Sequence, residues 1–227
     1  MKKLLTTAAI LICCIANSQC IKGDCDDGIG TKKYDLNNGT KGTYEGEFKD
    51  KLPLGKGKYT YENFGKNNEI IFEGYFSDDG DEIINIDGTK EGIITLPNGT
   101  IKKGFITETN ENNITDWQLN GKGENKQLLV SGDFIIEKGN FINDILNDKN
   151  GEIITPNGNI YLGGVVNGKR QGIGKIITPD GGIQQDGNWF ENEWIDANKN
   201  NPNAVPIYYS QNRIIVEADF NGTKFPM

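Results

Sequence analysis

Thr43-Tyr44-Glu45-Gly46-Glu47-Phe48-Lys49-Asp50, followed after a short connection by Gly55-Lys56-Gly57-Lys58-Tyr59-Thr60-Tyr61, decides how this chain folds. Successive side chains on an extended strand point to opposite faces. Tyr44, Gly46 and Phe48 therefore share one face, with Glu45, Glu47 and Lys49 on the other. In the second segment Gly55, Gly57, Tyr59 and Tyr61 fall together, opposite Lys56, Lys58 and Thr60. Two alternating runs joined by a turn form a β-hairpin.

The hairpin returns along the chain, and such periodicity is read before any single motif. Its clearest copy runs from Tyr161-Leu162-Gly163 through Gly172-Ile173-Gly174 to Pro179-Asp180-Gly181. Partial copies begin at Phe72-Glu73-Gly74, near Lys103-Gly104-Phe105 and at Lys138-Gly139-Asn140-Phe141, and a fading one stands at Asp186-Gly187-Asn188-Trp189. Glycine inside a strand is retained where another group must approach the backbone closely. Gly46, Gly57 and Gly174 thus predict hollows in one sheet face, filled by Tyr44, Phe48 and Tyr59 from neighbouring strands. Seven Asn-Gly and five Asp-Gly pairs supply the positive φ that tight hairpin turns need.

These residues resemble the MORN repeat family, whose unit runs Tyr-x-Gly-x-Trp/Phe, a turn, Gly-x-Gly and a closing Gly. The resemblance covers roughly residues 20–195 and is most specific over Tyr44–Gly57 and Tyr161–Gly174. The middle units depart from it, with insertions around Phe64–Glu69 and Glu108–Thr115. It implies an all-β fold: an elongated, single-layer antiparallel sheet of tandem β-hairpins over residues 19–195, each unit stabilised by its neighbours. About a dozen strands of this kind span roughly 50–60 Å. It further implies a scaffold or a binding module for a protein partner, without a cofactor.

The N-terminus reads as a secretory signal peptide over residues 1–18. Met1-Lys2-Lys3 is basic, Leu4 to Ala16 is apolar but too short for a lasting anchor, and Ala16-Asn17-Ser18 presents small residues before a cut at Gln19. A lipoprotein signal is the rival reading, but Cys13, Cys14 and Cys20 each lack a small residue in front. The expected location is secreted or periplasmic. Cys20 and Cys25, five positions apart across a Gly-Asp turn, then favour a local disulfide worth about 2 kcal/mol, an end cap for the array. With 24 basic and 32 acidic residues the chain carries −8, and removing Lys2 and Lys3 leaves −10. Such a surface repels phosphates, which argues against nucleic acid and anionic lipid as partners.

Catalytic chemistry finds no support in the residues present. The chain has no histidine, so Ser-His and Cys-His catalysis are excluded and a metal site is disfavoured. Ser77, Ser131 and Ser210 lie in no nucleophile elbow, and the Gly-x-Gly pairs lead into strands rather than helices. Asp78-Asp79-Gly80-Asp81-Glu82 and the group Asp24, Asp26 and Asp27 lack calcium-loop spacing and read as solvated turns. Tyr44, Phe48, Tyr59, Tyr61, Phe72, Phe76 and Tyr161 are the candidate partner surface; the same rings are needed as core. The sequons at Asn38, Asn98, Asn113 and Asn221 read first as turns.

The repeat stops after Trp194. Residues 196–204 form an asparagine-rich linker, and residues 205–227 hold two strand-like runs and an Asn221-Gly222 turn. This tail resembles the opening hairpin of a retropepsin-like aspartic protease, whose catalytic Asp-Thr/Ser-Gly occurs nowhere here. Two readings follow: a strand pair capping the last hairpin, or the start of a protease domain whose catalytic Asp would lie beyond Met227.

Overall fold

The computed structural model describes residues 17–35, 41–62, 69–77, 86–111, 114–195, 207–210, 213–216, 219–220 and 223–224. Leu4–Ala16, Asn38, Asp78–Glu82, Asn113, the linker 196–204 and Asn221-Gly222 lie outside them. Every regular element among the described residues is a strand. Fifteen strands join one open antiparallel sheet whose hydrogen-bonded order follows chain order, apart from one short strand off the path.

The chain divides into two compact units, residues 1–71 with 76–85, and residues 72–75 with 86–227. The first carries β1 (Asn17–Gly23), β2 (Ile29–Asp35), β3 (Lys41–Lys49) and β4 (Leu52–Tyr61) as a meander. Asn17 and Ser18, the last residues of the expected signal peptide, pair in β1 with Asp35 and Tyr34. The division falls within β5 (Ile70–Phe76). The second unit holds β6 (Glu91–Thr95), β7 (Ile101–Glu111), β8 (Ile114–Leu128), β9 (Phe134–Ile142), β10 (Ile145–Leu146) and β11 (Asp148–Ile154). It continues through β12 (Ile160–Val166), β13 (Lys169–Ile177), β14 (Ile183–Phe190) and β15 (Glu193–Ile195). In the tail, β16 (Ile207–Ser210) pairs with β17 (Arg213–Val216), and β18 (Asp219–Phe220) with β19 (Thr223–Lys224), as separate two-stranded ladders.

Two turn designs join the strands. At one end a Pro-Asn/Asp-Gly step closes the loop: Gly99, Gly158 and Gly181 take φ of 82°, 81° and 86°. Their N–H groups donate to the carbonyls of Leu96, Thr155 and Thr178 at 2.9, 2.8 and 2.8 Å. At the other end two consecutive residues take positive φ, at 50–51, 143–144, 167–168 and 191–192. Only the third of these is the expected Asn-Gly; the others are Asp-Lys, Asn-Asp and Glu-Asn. Asn120-Gly121, Asn150-Gly151 and Asp186-Gly187 instead lie inside strands.

Side chains reach those non-glycine positions because each turn is hydrogen-bonded to an earlier part of its own unit. The N–H groups of Lys51, Asp144, Gly168 and Asn192 donate to the carbonyls of Asp26, Leu119, Leu146 and Arg170. Asp144 and Asn192 also accept from the Leu119 and Arg170 N–H groups at 2.8 and 2.9 Å. A left-handed conformation costs a non-glycine residue about 1–2 kcal/mol, which two hydrogen bonds of about 1 kcal/mol each offset.

Glycines face one another across the strands. Gly30, Gly46 and Gly57 form a row in the first unit. Gly92, Gly104, Gly123 and Gly139 form a second row, and Gly151, Gly163, Gly174 and Gly187 a third, both in the second unit. A large side chain lies over each hollow. A Cβ on Gly57 would stand 2.5 Å from Cε2 of Tyr44, and one on Gly174 would stand 2.6 Å from the Tyr161 ring. Phe72 covers Gly74 and Gly92, and Leu119 covers Gly104 and Gly123. Tyr44 and Tyr161 thus cover a glycine of their own strand and its partner next door, whereas the sequence suggested filling from neighbouring strands. The 3.4 Å rise per residue explains this: a ring tilted along its strand reaches the glycine two positions on.

Candidate interaction surface

The seven aromatics expected to offer a partner surface are all interior. Tyr44 and Tyr59 are 0 % exposed, Phe72 1 %, Phe76 and Tyr161 2 %, Phe48 5 % and Tyr61 7 %. They do not form a surface: Tyr44, Tyr59, Phe72 and Tyr161 lie over glycine hollows, and Phe48, Phe76 and Tyr61 pack edge to face against the tyrosines among them. Tyr44 meets Phe48 and Phe76 edge to face at 5.0 and 4.8 Å, and its hydroxyl donates to the Glu47 carbonyl at 3.0 Å. Tyr161 repeats the arrangement, donating to the Gly164 carbonyl at 2.8 Å and meeting Trp189 edge to face at 5.3 Å. Arg170 lies 4.4 Å over the Trp189 ring. Burial, with the nearby Glu47 carboxylate, pushes the Tyr44 hydroxyl well above the ordinary phenol range, and burial does the same to Tyr34. Both therefore remain protonated at neutral pH.

The remaining expected features are structural as placed. Cys20 and Cys25 are joined, with Cα atoms 5.9 Å apart. Asp24 accepts from the N–H groups of Asp26 and Asp27, and Asp27 accepts from the N–H of Asp50. The acidic loop thus binds backbone and fastens to the turn between β3 and β4. Among the described residues no group of three or more His, Cys, Asp or Glu is placed to hold a metal. Asn98 sits exposed in its Pro-Asn-Gly turn, accepting from the Thr100 N–H at 2.9 Å.

Buried polar groups in the second unit pin turns rather than line a cleft. Lys102, 6 % exposed, donates to the Trp117 carbonyl at 2.6 Å and to Asp144 at 2.5 Å. Glu137 accepts from the Asn125 amide at 3.2 Å, and burial holds its carboxyl above the usual range.

On the face opposite the glycines the row residues of the second unit are half-buried or exposed. Cross-strand register aligns two rows on it. One row reads Lys103, Glu124, Lys138, Glu152, Leu162, Lys175 and Asp186 from β7 to β14, each beside the next. Opposite charges directly across a strand pair stabilise it by about 0.2–1 kcal/mol. Lys138 and Glu152 close to 2.8 Å, and that hydrogen bond raises the lysine's affinity for its proton. The other row reads Ile101, Lys126, Ile136, Ile154, Ile160, Ile177 and Ile183. Ile183 is 61 % exposed, and the four isoleucines before it are half-buried. Reading aromatics as the surface missed these rows. The signal was present as alternate strand positions occupied by Ile, Lys and Glu in the second unit.

A search of curated proteins returns no match to this chain. The sequence-family comparison finds the repeat that the glycine rows and covering rings build: the family model for the MORN repeat matches residues 44–66 and 161–183.

Proposed function

We propose that this chain is an exported, non-catalytic MORN-repeat scaffold that binds a protein partner through its open face. One observation carries the reading. The repeat commits the rings over its glycines to internal packing, while the Ile and charge rows of the second unit stay open to solvent. Charge-alternating rows beside an apolar stripe suit a protein surface better than a polyanion, and the net charge of −8 disfavours nucleic acid and anionic lipid. The basic start, the apolar run to Ala16 and the Cys20–Cys25 pair support export to an oxidising compartment. Cutting after Ser18 removes two residues from β1 and leaves Gln19–Gly23 to pair with β2.

Two measurements test this. Fractionation and mass spectrometry of the expressed chain should find it outside the cytoplasm, beginning at Gln19 and oxidised at Cys20 and Cys25. A cytoplasmic product retaining Met1 overturns export. A photo-crosslinking residue at Ile177 should yield a discrete adduct that the same residue at the turn position Asn157 does not. Identical adduct patterns from the two positions, or none, overturn the binding surface.

A further inference from the structure

We propose that the mature chain is closed at its start by a pyroglutamyl ring: once the segment through Ser18 is removed, the α-amine of Gln19 condenses with its own side-chain amide. The inference rests on the export reading above and goes beyond it, to a covalent modification of the first mature residue.

Cutting after Ser18 leaves glutamine as the terminal residue, whose side-chain amide carbon its own α-amine can reach in a five-membered ring. Amine and amide belong to one residue, so closure needs rotation about the side-chain bonds and no second reactant. Those bonds are free to turn. Gln19 is exposed, and its side-chain amide has no hydrogen-bond partner among the described residues.

The step balances within the residue. The unprotonated α-amine, of ordinary pKa about 7.7–8.0, attacks Cδ. A bond forms between the amine nitrogen and Cδ, and the bond from Cδ to the amide nitrogen breaks. That nitrogen leaves as ammonia, taking a proton that the amine gives up. The lactam keeps one N–H and one carbonyl and carries no charge.

The position of Gln19 makes the ring consequential. β1 is the first strand of the sheet and has β2 as its one hydrogen-bonded neighbour. Residues 18–24 are all exposed. Fraying and proteolysis concentrate at such termini. The ring removes the free amine that an aminopeptidase has to grip. Register sets Gln19 across from Lys33 and Cys20 across from Lys32, so it also removes a positive charge from beside two lysines. The very next residue, Cys20, is tied to Cys25. A lactam at one position and a disulfide at the following one leave no free chain end ahead of the first covalent tie.

The test expresses the full chain from Met1, collects the exported product and takes its intact mass at once. An isotope-labelled synthetic peptide of residues 19–22 with a free terminal amine, added at harvest, reports any cyclisation during handling. The expected product starts at residue 19 and is one ammonia lighter than the chain with a free amine. It should take no amine-reactive label at its terminus and resist aminopeptidase, and after reduction a pyroglutamyl peptidase should expose Cys20. Gln19→Asn keeps an amide but would need a four-membered ring, so this variant should take the label and lose its first residue to the aminopeptidase. A native chain that begins at Gln19 with a free amine, or is cyclised no further than the added peptide, overturns the proposal and leaves export standing. An exported product that begins at any other residue also overturns it. A cytoplasmic product retaining Met1 overturns export along with it.

Discussion

Gly174→Ala isolates the principle on which the fold rests. Gly174 has no left-handed φ, so alanine is compatible with its backbone, and the whole effect comes from one methyl group. That methyl would stand 2.6 Å from the Cε2 and Cζ atoms of Tyr161, inside contact distance. If the ring stays, overpacking costs about 1–3 kcal/mol. If the ring leaves, it forfeits the bond to the Gly164 carbonyl, about 1 kcal/mol, and the Trp189 pair, about 0.5–1.5 kcal/mol. Either route gives a loss within about 1–3 kcal/mol. Gly181→Ala is the control: nothing lies within 4 Å of its Cβ position, and φ of 86° alone should cost about 1–2 kcal/mol. Urea unfolding followed by tryptophan fluorescence reads both. The decisive comparison adds Tyr161→Leu, which removes the atoms struck by the methyl. The two substitutions should then fall short of additivity by about 2 kcal/mol. A Gly174→Ala loss below about 1 kcal/mol, or strict additivity, would refute the account of glycines as seats for rings.

Other outcomes follow from the same contacts. Cys20→Ser should lower stability by about 2 kcal/mol through the lost loop closure and speed amide exchange in β1, with no further loss on adding reductant. Asp144→Ala should cost about 3–5 kcal/mol in a denaturant melt, because it strands the Lys102 ammonium in the interior; Lys102→Met should cost clearly less, since Asp144 keeps the Leu119 N–H. Glu137→Gln should stabilise the chain at pH 7. Burial raises the folded carboxyl above its ordinary value of 4.5, so the stability it contributes is complete below that value and declines as pH rises through the folded pKa. The difference between the variant and the native chain should therefore shrink when melts are repeated below about pH 4.

The sequence disclosed the hairpin unit because the unit is local. Tyr44 and Gly46 sit two apart on one strand, Gly57 lies across one turn, and alternation alone assigns their faces. Where each ring goes is less local. Tyr44 lies over Gly46 and Gly57 only because the register pairs those glycines, and that register depends on a bulge between Gly46 and Phe48 that alternation does not display. The turns were misjudged for a related reason. Asp144 and Asn192 tolerate positive φ through bonds to Leu119 and Arg170, 25 and 22 residues earlier, so no dipeptide rule would find them.

The open face shows how a repeat separates stability from recognition. On the packed face, substitution is constrained by close approach: a methyl at Gly174 strikes a ring, and a shorter residue at Tyr161 leaves two glycine hollows bare. On the open face, Lys138 and Glu152 are bound only to each other, and their pairing is worth at most about 1 kcal/mol at this exposure. Residues there can change without disturbing the rows beneath. Reversing Lys175 and Asp186 together would keep their own cross-strand pair intact while inverting the charges that this part of the face presents to a partner. Such a variant should fold as stably as the native chain in a urea melt and lose the discrete Ile177 adduct; an unchanged adduct would refute a role for the charge row in recognition.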